Sequence, residues 1–393
     1  MKLYEHQAKA ILAAHGVAIP GGGLAATPTE AEAIARRIIA SGRAVVLKAQ
    51  ILAGGRGKGG GVRTAASLEE ARRMAEAMFA ARLITPQTGP AGLPVRRLLL
   101  EASVDIGRQV YLAATIDRHL GQAIVLASGQ GGMEIEDLAR SSPSAVIRQP
   151  IPALEGLSPA LAGMIASACG LNAPEAAGFT AVLTALWKAF LECDAGLIEI
   201  NPLGWSAAGG WIALDAKMVL DDAALPRHPE LTALRDTTDE DRREARAAAS
   251  GISYIRLDGD IGCLVNGAGL AMATADMIEQ AGGRPANFLD IGGGVGEDAV
   301  REGFWIVASD PGVRAVLINV FGGIVRCDLV ARGISRASRD FGLHVPLVVR
   351  MLGTNAEAGR RILAESGLDY LSAETMDEAA AMAVAAAAAG DKP

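Results

Sequence analysis

Cysteine is scarce and scattered in this chain: Cys169, Cys193, Cys263 and Cys327 are its four thiols, and no two form a Cys-x-x-Cys pair. That spacing excludes a disulfide framework and a zinc site, and it reads as reduced, mostly buried thiols. Aromatic residues are only 4% of the chain, and no basic stripe carries them interleaved. With a net charge of −7, this argues against nucleic acid as a partner. No run of about 18 apolar residues occurs, so nothing is expected to span a membrane. The start, Met1-Lys2-Leu3-Tyr4-Glu5-His6-Gln7, enters an amphipathic helix at once and lacks the apolar core of a signal peptide. A cytoplasmic protein is expected.

Glycine is abundant at 47 of 393 residues, and half of the chain is apolar. This suits α/β architecture in two or three domains with sizeable cores. The most informative stretch is Leu197-Ile198-Glu199-Ile200-Asn201-Pro202-Leu203, echoed by Ile212-Ala213-Leu214-Asp215-Ala216-Lys217. Each alternates apolar and polar residues as a strand does, which puts Glu199 with Asn201, and Asp215 with Lys217, on one face. Gly204 to Gly210 suits a hairpin between them. The oxygens of Glu199, Asn201 and Asp215 are hard donors suited to Mg²⁺, so the pair reads as a Mg²⁺-nucleotide site. The same pattern also suits the solvated face of an antiparallel pair.

Helices are expected over 4–15, 29–41, 67–82 and 174–193, and strands over 44–50, 97–101, 111–117 and 123–128. After the Lys48-bearing strand comes Ala53-Gly54-Gly55-Arg56-Gly57-Lys58-Gly59-Gly60-Gly61-Val62-Arg63, with six glycines and three cations in eleven residues. Free backbone N–H groups and cations are what a polyphosphate needs, although the spacing is not that of a Walker A loop. A ligand-free mobile surface loop is the alternative. Pro226, Pro229 and the charged run Asp236 to Arg246 mark a domain boundary near 246, which gives domains 1–245 and 246–393. Beyond it, strand, Gly-rich loop and helix recur four times, the pattern of a doubly wound parallel sheet. Ligands of such sheets sit beyond the C-terminal strand ends. There the polar loop residues Asn266, Asn355, Arg326 and Asp328 point to a ligand.

Six segments then resemble one family: AGGRGKGGGV (Ala53 to Val62), LIEINPL (Leu197 to Leu203), LDAK (Leu214 to Lys217), CLVNGAGLAM (Cys263 to Met272), NFLDIGGG (Asn287 to Gly294) and NVFGGIVRCD (Asn319 to Asp328). Their order and wording are similar to those of succinate–CoA ligase β subunits over nearly the whole chain. The resemblance implies an N-terminal ATP-grasp domain and a C-terminal flavodoxin-like CoA-ligase domain. The implied activity is formation of succinyl-CoA from succinate and CoA with ATP, through an acyl phosphate and a phosphohistidine. On that pattern Lys48 would hold nucleotide phosphates, and Gly55, Arg56 and Gly57 would close over them. Glu101, backbone near Val104, and Gln109 would lie at the nucleoside end. Asn201 and Asp215 would ligate Mg²⁺, and Glu199 would steady the phosphohistidine. Asn266 and Gly323-Ile324-Val325 would face the acid. Gln109 stands where the family is expected to carry Glu, and Leu52 where it often carries His.

None of the five histidines, His6, His15, His119, His228 and His344, sits in a Gly-rich phosphate loop. The phosphorylated histidine should therefore come from another chain. The resemblance implies that an α subunit supplies it, with most of the CoA site, in a heterotetramer of two α and two β chains. Three other readings remain. A malate–CoA ligase β chain shares these motifs, but apolar Gly323-Ile324-Val325 offers no partner for a malate hydroxyl, and an unpaired buried hydroxyl costs roughly 1–3 kcal/mol. A non-catalytic nucleotide- or CoA-binding regulatory chain is opposed by the intact Asn201 and Asp215. A stand-alone ATP-grasp carboxylate–amine ligase is opposed by the second domain.

Overall fold

The computed structural model describes residues 1–88, 90, 92–236, 242–342 and 345–389. The chain divides into two compact units, Met1–Asp239 and Glu240–Pro393. Residue 246 lies inside the helix Arg242–Ala249, whose Ala247 belongs to the second unit's core.

In the first unit, the β-branched run at Val45-Val46 opens the strand Val45–Ala49. It sits in an antiparallel sheet ordered Gly22–Ala25, Leu98–Ala102, Val45–Ala49, Val62–Ala65. Helices Pro28–Ala40 and Leu68–Ala80 start where Thr27 and Ser67 accept the N–H of Glu30 and Glu70. Their Ile34, Ile38, Ala71 and Met78 share a core with Val45, Leu47, Leu98 and Leu100. Alternation turns the next residues to the opposite face: Lys48 pairs with Leu99 and Val46 with Glu101, so Lys48 and Glu101 become diagonal neighbours there.

A second sheet is centred on Ala195–Ser206, paired with Ile106–Asp117 on one side and with Trp211–Ala213 and Ala216–Leu220 on the other. The long helix Ala173–Glu192 begins at a reciprocal Asn172–Glu175 capping box. Its Phe179, Leu183 and Leu186 pack with Leu12 of the helix Glu5–Ala14 and with Ile198 and Ile200. The expected hairpin partner of 197–203 proves to be two strands, with Asp215 in the bend between them. The break frees the Leu214 carbonyl, which accepts from Lys9 and Lys48 instead of from the ladder.

The second unit is one six-stranded sheet ordered Ser253–Arg256, Asn287–Asp290, Ile261–Val265, Ala315–Gly322, Leu347–Gly353, Leu371–Ala373. Its last five strands are parallel in the order 2-1-3-4-5, the flavodoxin-like sequence of strands. Helices Glu297–Ala308, Cys327–Phe341 and Ala356–Glu365 cover one face, while Ala268–Gln280 and Met376–Ala389 cover the other. The sheet is not wholly parallel: Ser253–Arg256 runs antiparallel to Asn287–Asp290 at the edge. Its residues, exposed except for half-buried Tyr254, carry too little apolar alternation to announce a strand. All four cysteines are buried and free. Gly390, a residue suited to close a final helix, lies outside the described residues.

Candidate functional site

One turn of helix separates Glu5 from Lys9, so both point from the same face, the one that also buries Ala8 and Leu12. They meet Lys48 and Glu101 from the first sheet, Arg56 from the glycine loop, and Asp215 from the bend. The result is a cluster of three carboxylates and three cations, buried except at Asp215 on its edge. Lys9 Nζ lies 2.6 Å from Glu101 and 3.1 Å from Glu5. Lys48 Nζ lies 2.9 Å from Glu5 and 2.8 Å from Glu101. Arg56 donates to Glu5 and to Asp215, each at 2.8 Å, and to the Ala49 carbonyl at 3.0 Å. Burial alone would raise the Glu5 carboxyl; Lys48, Arg56 and Lys9 outweigh it and hold that group well below the usual carboxylate range. Burial likewise works against the Lys48 ammonium, yet Glu5, Glu101 and Asp215 hold it protonated above the usual lysine range.

Glu5, Arg56 and Asp215 of this cluster line a cavity of about 1160 Å³, together with the glycine loop, Glu199, Asn201 and Lys217 among others. Glu199 is paired across the ladder with Lys217. Burial pushes its carboxyl up, with Lys217 pulling the other way. The pairing register of Ala195–Ser206 shifts between Ile200 and Leu203. Asn201 lies in that shift, where irregular pairing re-aims side chains. Its Oδ1 accepts from Gly132 N–H and its Nδ2 donates to the Met133 carbonyl, both at 2.8 Å, which ties the 129–134 loop to the strand. The glycine loop is a set of turns closed by its own backbone: Gly61 N–H donates to Arg56 O at 2.8 Å and Gly59 N–H to Gly55 O at 3.2 Å. Gly55 has φ +74°, which favours glycine, whereas a Cβ on Gly61 would displace the Leu83 side-chain end, 2.5 Å away, and crowd the Arg56 carbonyl oxygen at 3.2 Å.

Glu199, Asn201, Asp215, Gly55, Arg56 and Gly57 thus come together on the cavity wall. Lys48 and Glu101 stand behind that wall, held by the cluster. Val104 lines a separate shallow pocket with Ser103 and Asp105, and Gln109 is exposed beside Gly132. Glu5 and Lys9 went unrecognised as site residues. Their signal is two opposite charges on the apolar stripe of a helix, positions a core helix normally fills with Ala or Leu. None of the described histidines lines the cavity.

In the second unit, Asn266 follows the strand Ile261–Val265, at the point where the strand order reverses. Its side chain exchanges two hydrogen bonds of 2.9 Å with the backbone of Phe321. Beyond Phe321, Gly323 and Ile324 are exposed, Ile324 at 84%, but Val325 is 3% exposed within the core. Val325 therefore supports the loop from beneath and does not face a ligand. Arg326, Asp328 and Asn355 are bonded to one another: Asp328 accepts from Arg326, Arg332 and Asn355, and so brackets two loops together.

Comparison with known proteins covers both units. Residues 2–205 match the family model of the ATP-grasp domain, and residues 264–384 match that of the CoA-ligase. The β subunit of the ADP-forming succinate–CoA ligase of Anaeromyxobacter dehalogenans (strain 2CP-C) is 51% identical over 389 residues, which is 99% of this chain and 100% of that one. Its counterpart from Koribacter versatilis is 49% identical, over 98% of this chain and 99% of that one. Among solved structures, the ATP citrate lyase of Methanothrix soehngenii aligns over 98% of this chain and 99% of its own with a TM-score of 0.74. At 19% identity, that likeness is one of fold. Among the described residues no helix is long and apolar enough to cross a membrane.

Proposed function

The chain belongs to the family of succinate–CoA ligase β subunits, and we propose from that membership a division of labour among its residues. It is the β chain of an ADP-forming ligase that joins succinate to CoA at the expense of ATP, and it works with an α subunit. The observation that carries the residue assignments is the cavity of about 1160 Å³ whose wall joins a cationic glycine loop to Glu199, Asn201 and Asp215.

Arg56 and Lys48 are the cations for the nucleotide phosphates, and the turns around Gly55 and Gly57 bring backbone N–H groups alongside. Asn201 and Asp215 hold Mg²⁺. Support comes from their chemistry: one carboxylate and one amide oxygen are hard donors, and Mg²⁺ is usually bound through one or two carboxylates, substrate phosphates and water. The Asp215 side chain is 42% exposed, so one oxygen stays open while the other meets Arg56. The ion supplies charge neutralisation on the transferring phosphoryl group. Glu199 meets the phosphohistidine of the α subunit, where a carboxylate favours and orients the protonated ring. Gln109 lies on the nucleoside side, with backbone near Val104, while Glu101 stays behind the wall as the partner of Lys9 and Lys48. Asn266 holds the Phe321 backbone, and Gly323 and Ile324 reach the acid. The assembly has two α and two β chains.

Phosphate release by this chain co-expressed with its α subunit, with ATP, CoA and either succinate or malate, tests the reading. Turnover with succinate well above malate is expected and should vanish without CoA. Faster turnover with malate would overturn the substrate assignment. No turnover with either acid would overturn the catalytic one.

A further inference from the structure

Lys9 belongs to the charge cluster but lies outside the cavity wall, with 1% of its surface exposed. It shares every acceptor of Lys48. Its Nζ donates to both oxygens of Glu101, at 2.6 and 2.8 Å, and to the Leu214 carbonyl at 2.7 Å, and it stands 3.1 Å from Glu5. Lys48 contacts Glu5, Glu101 and the same carbonyl. Two buried ammonium groups on one acceptor set repel each other, and each gives up its hydration. Three cations nonetheless balance three carboxylates, so both lysines are needed while no other charge is in the site. What the shared acceptors allow is for one lysine to leave while the other still contacts all of them.

Lys48 and Arg56 are the mobile candidates, because Arg56 lines the cavity and Lys48 stands directly behind it. A polyphosphate in the cavity draws both toward itself, leaving Glu101 behind the wall and the buried Glu5 on it. We infer that Lys9 is a positioning residue: it remains as the interior counter-ion of Glu5 and Glu101, so that Lys48 is free to transfer its ammonium to the nucleotide phosphates. The inference rests on the nucleotide-site reading given above. Without Lys9, withdrawing Lys48 would strand two buried carboxylates, so Lys48 would stay where it is and the nucleotide would lose a phosphate contact.

The test is calorimetric titration of Mg-ADP into the full-length chain purified with its α subunit. Lys9→Met should raise the Kd by roughly tenfold or more, because a stranded buried charge is costly. Adding Glu5→Gln to Lys9→Met should recover part of the loss, since only one interior carboxylate then needs a counter-ion. Lys9 and Glu5 are in contact at 3.1 Å, so their effects on stability couple in any case; the absence of any recovery of Mg-ADP affinity in the double variant overturns the inference. Wild-type affinity in Lys9→Met overturns it too, while leaving the nucleotide site intact. Absence of Mg-ADP binding in the wild-type protein would instead overturn the nucleotide-site reading itself. If Lys9→Met does not fold, Glu5→Gln is compared with Glu5→Gln/Lys9→Met, in which the charge count is balanced. Weaker binding by the double variant is expected, and equal or tighter binding overturns the inference.

Discussion

The two units build their sites by opposite means. In the first, Glu5, Lys9, Lys48, Arg56, Glu101 and Asp215 come from a helix, two strands, a loop and a bend, and they neutralise one another in the interior. In the second, the loops at the strand ends are held by short local devices: Asn266 on the Phe321 backbone, Asp328 under Asn355, and Gly353 tight against Gly322. A charged cluster is costly to disturb, because removing one member strands the rest. A glycine turn or a surface-edge bracket fails on its own. The lesson is that a site for a highly charged ligand needs charges stored in the protein, whereas loops at a parallel sheet edge present backbone groups that are already available.

The sharpest way to break this contrast is Glu101→Ala. It leaves Lys9 and Lys48 facing a single interior carboxylate and should cost about 3–5 kcal/mol. Urea unfolding followed by tryptophan fluorescence is the measurement, since Trp187, Trp205 and Trp211 all lie in the first unit. A loss below 1 kcal/mol would mean that the cluster relaxes freely. A smaller effect is expected in the second unit from Gly353→Ala. Its φ is +91°, and a Cβ there would stand 2.4 Å from the Gly322 carbonyl oxygen. The cost should be about 1–3 kcal/mol, seen as a lowered thermal midpoint. No change would show that the loop shifts without penalty.

The smallest effect concerns pH. Burial would raise the Asp328 carboxyl, but Asn355, Arg326 and Arg332 hold it well below the usual range. Its contribution is therefore complete above the ordinary aspartate value of about 3.9 and is lost as pH falls below it. Thermal melts from about pH 5 down to about pH 2 should show a shallower acid decline in Asp328→Asn than in the wild type. Identical slopes would remove Asp328 as the bracket.

Much of the second unit was legible before any fold was known. The four strand–loop–helix repeats expected beyond the boundary are present, among them the helices Glu297–Ala308 and Cys327–Phe341. Each such element advertises itself through a periodicity held within a dozen residues. The short edge pieces were not legible: Ile147–Pro150 and Ser253–Arg256 are partly exposed and gain their pairing from neighbours. At the site, the cavity-wall residues Glu199, Asn201 and Asp215 could be picked out by strand alternation, although Asp215 occupies a bend. Val325 reads as one of three loop residues in the chain, and only packing shows it turned into the core.

What the amino-acid order determined alone is the run of elements, the glycine loops and the chemical kinds of group available, because burial periodicity and turn preference are local properties. What only the tertiary structure decided is which charges meet. Lys9 and Glu101 lie 92 positions apart, and Lys48 reaches a carbonyl 166 positions away. No local pattern encodes such a pairing. It follows from two sheets and a helix closing on one buried space, where each unpaired charge would be too costly to leave alone.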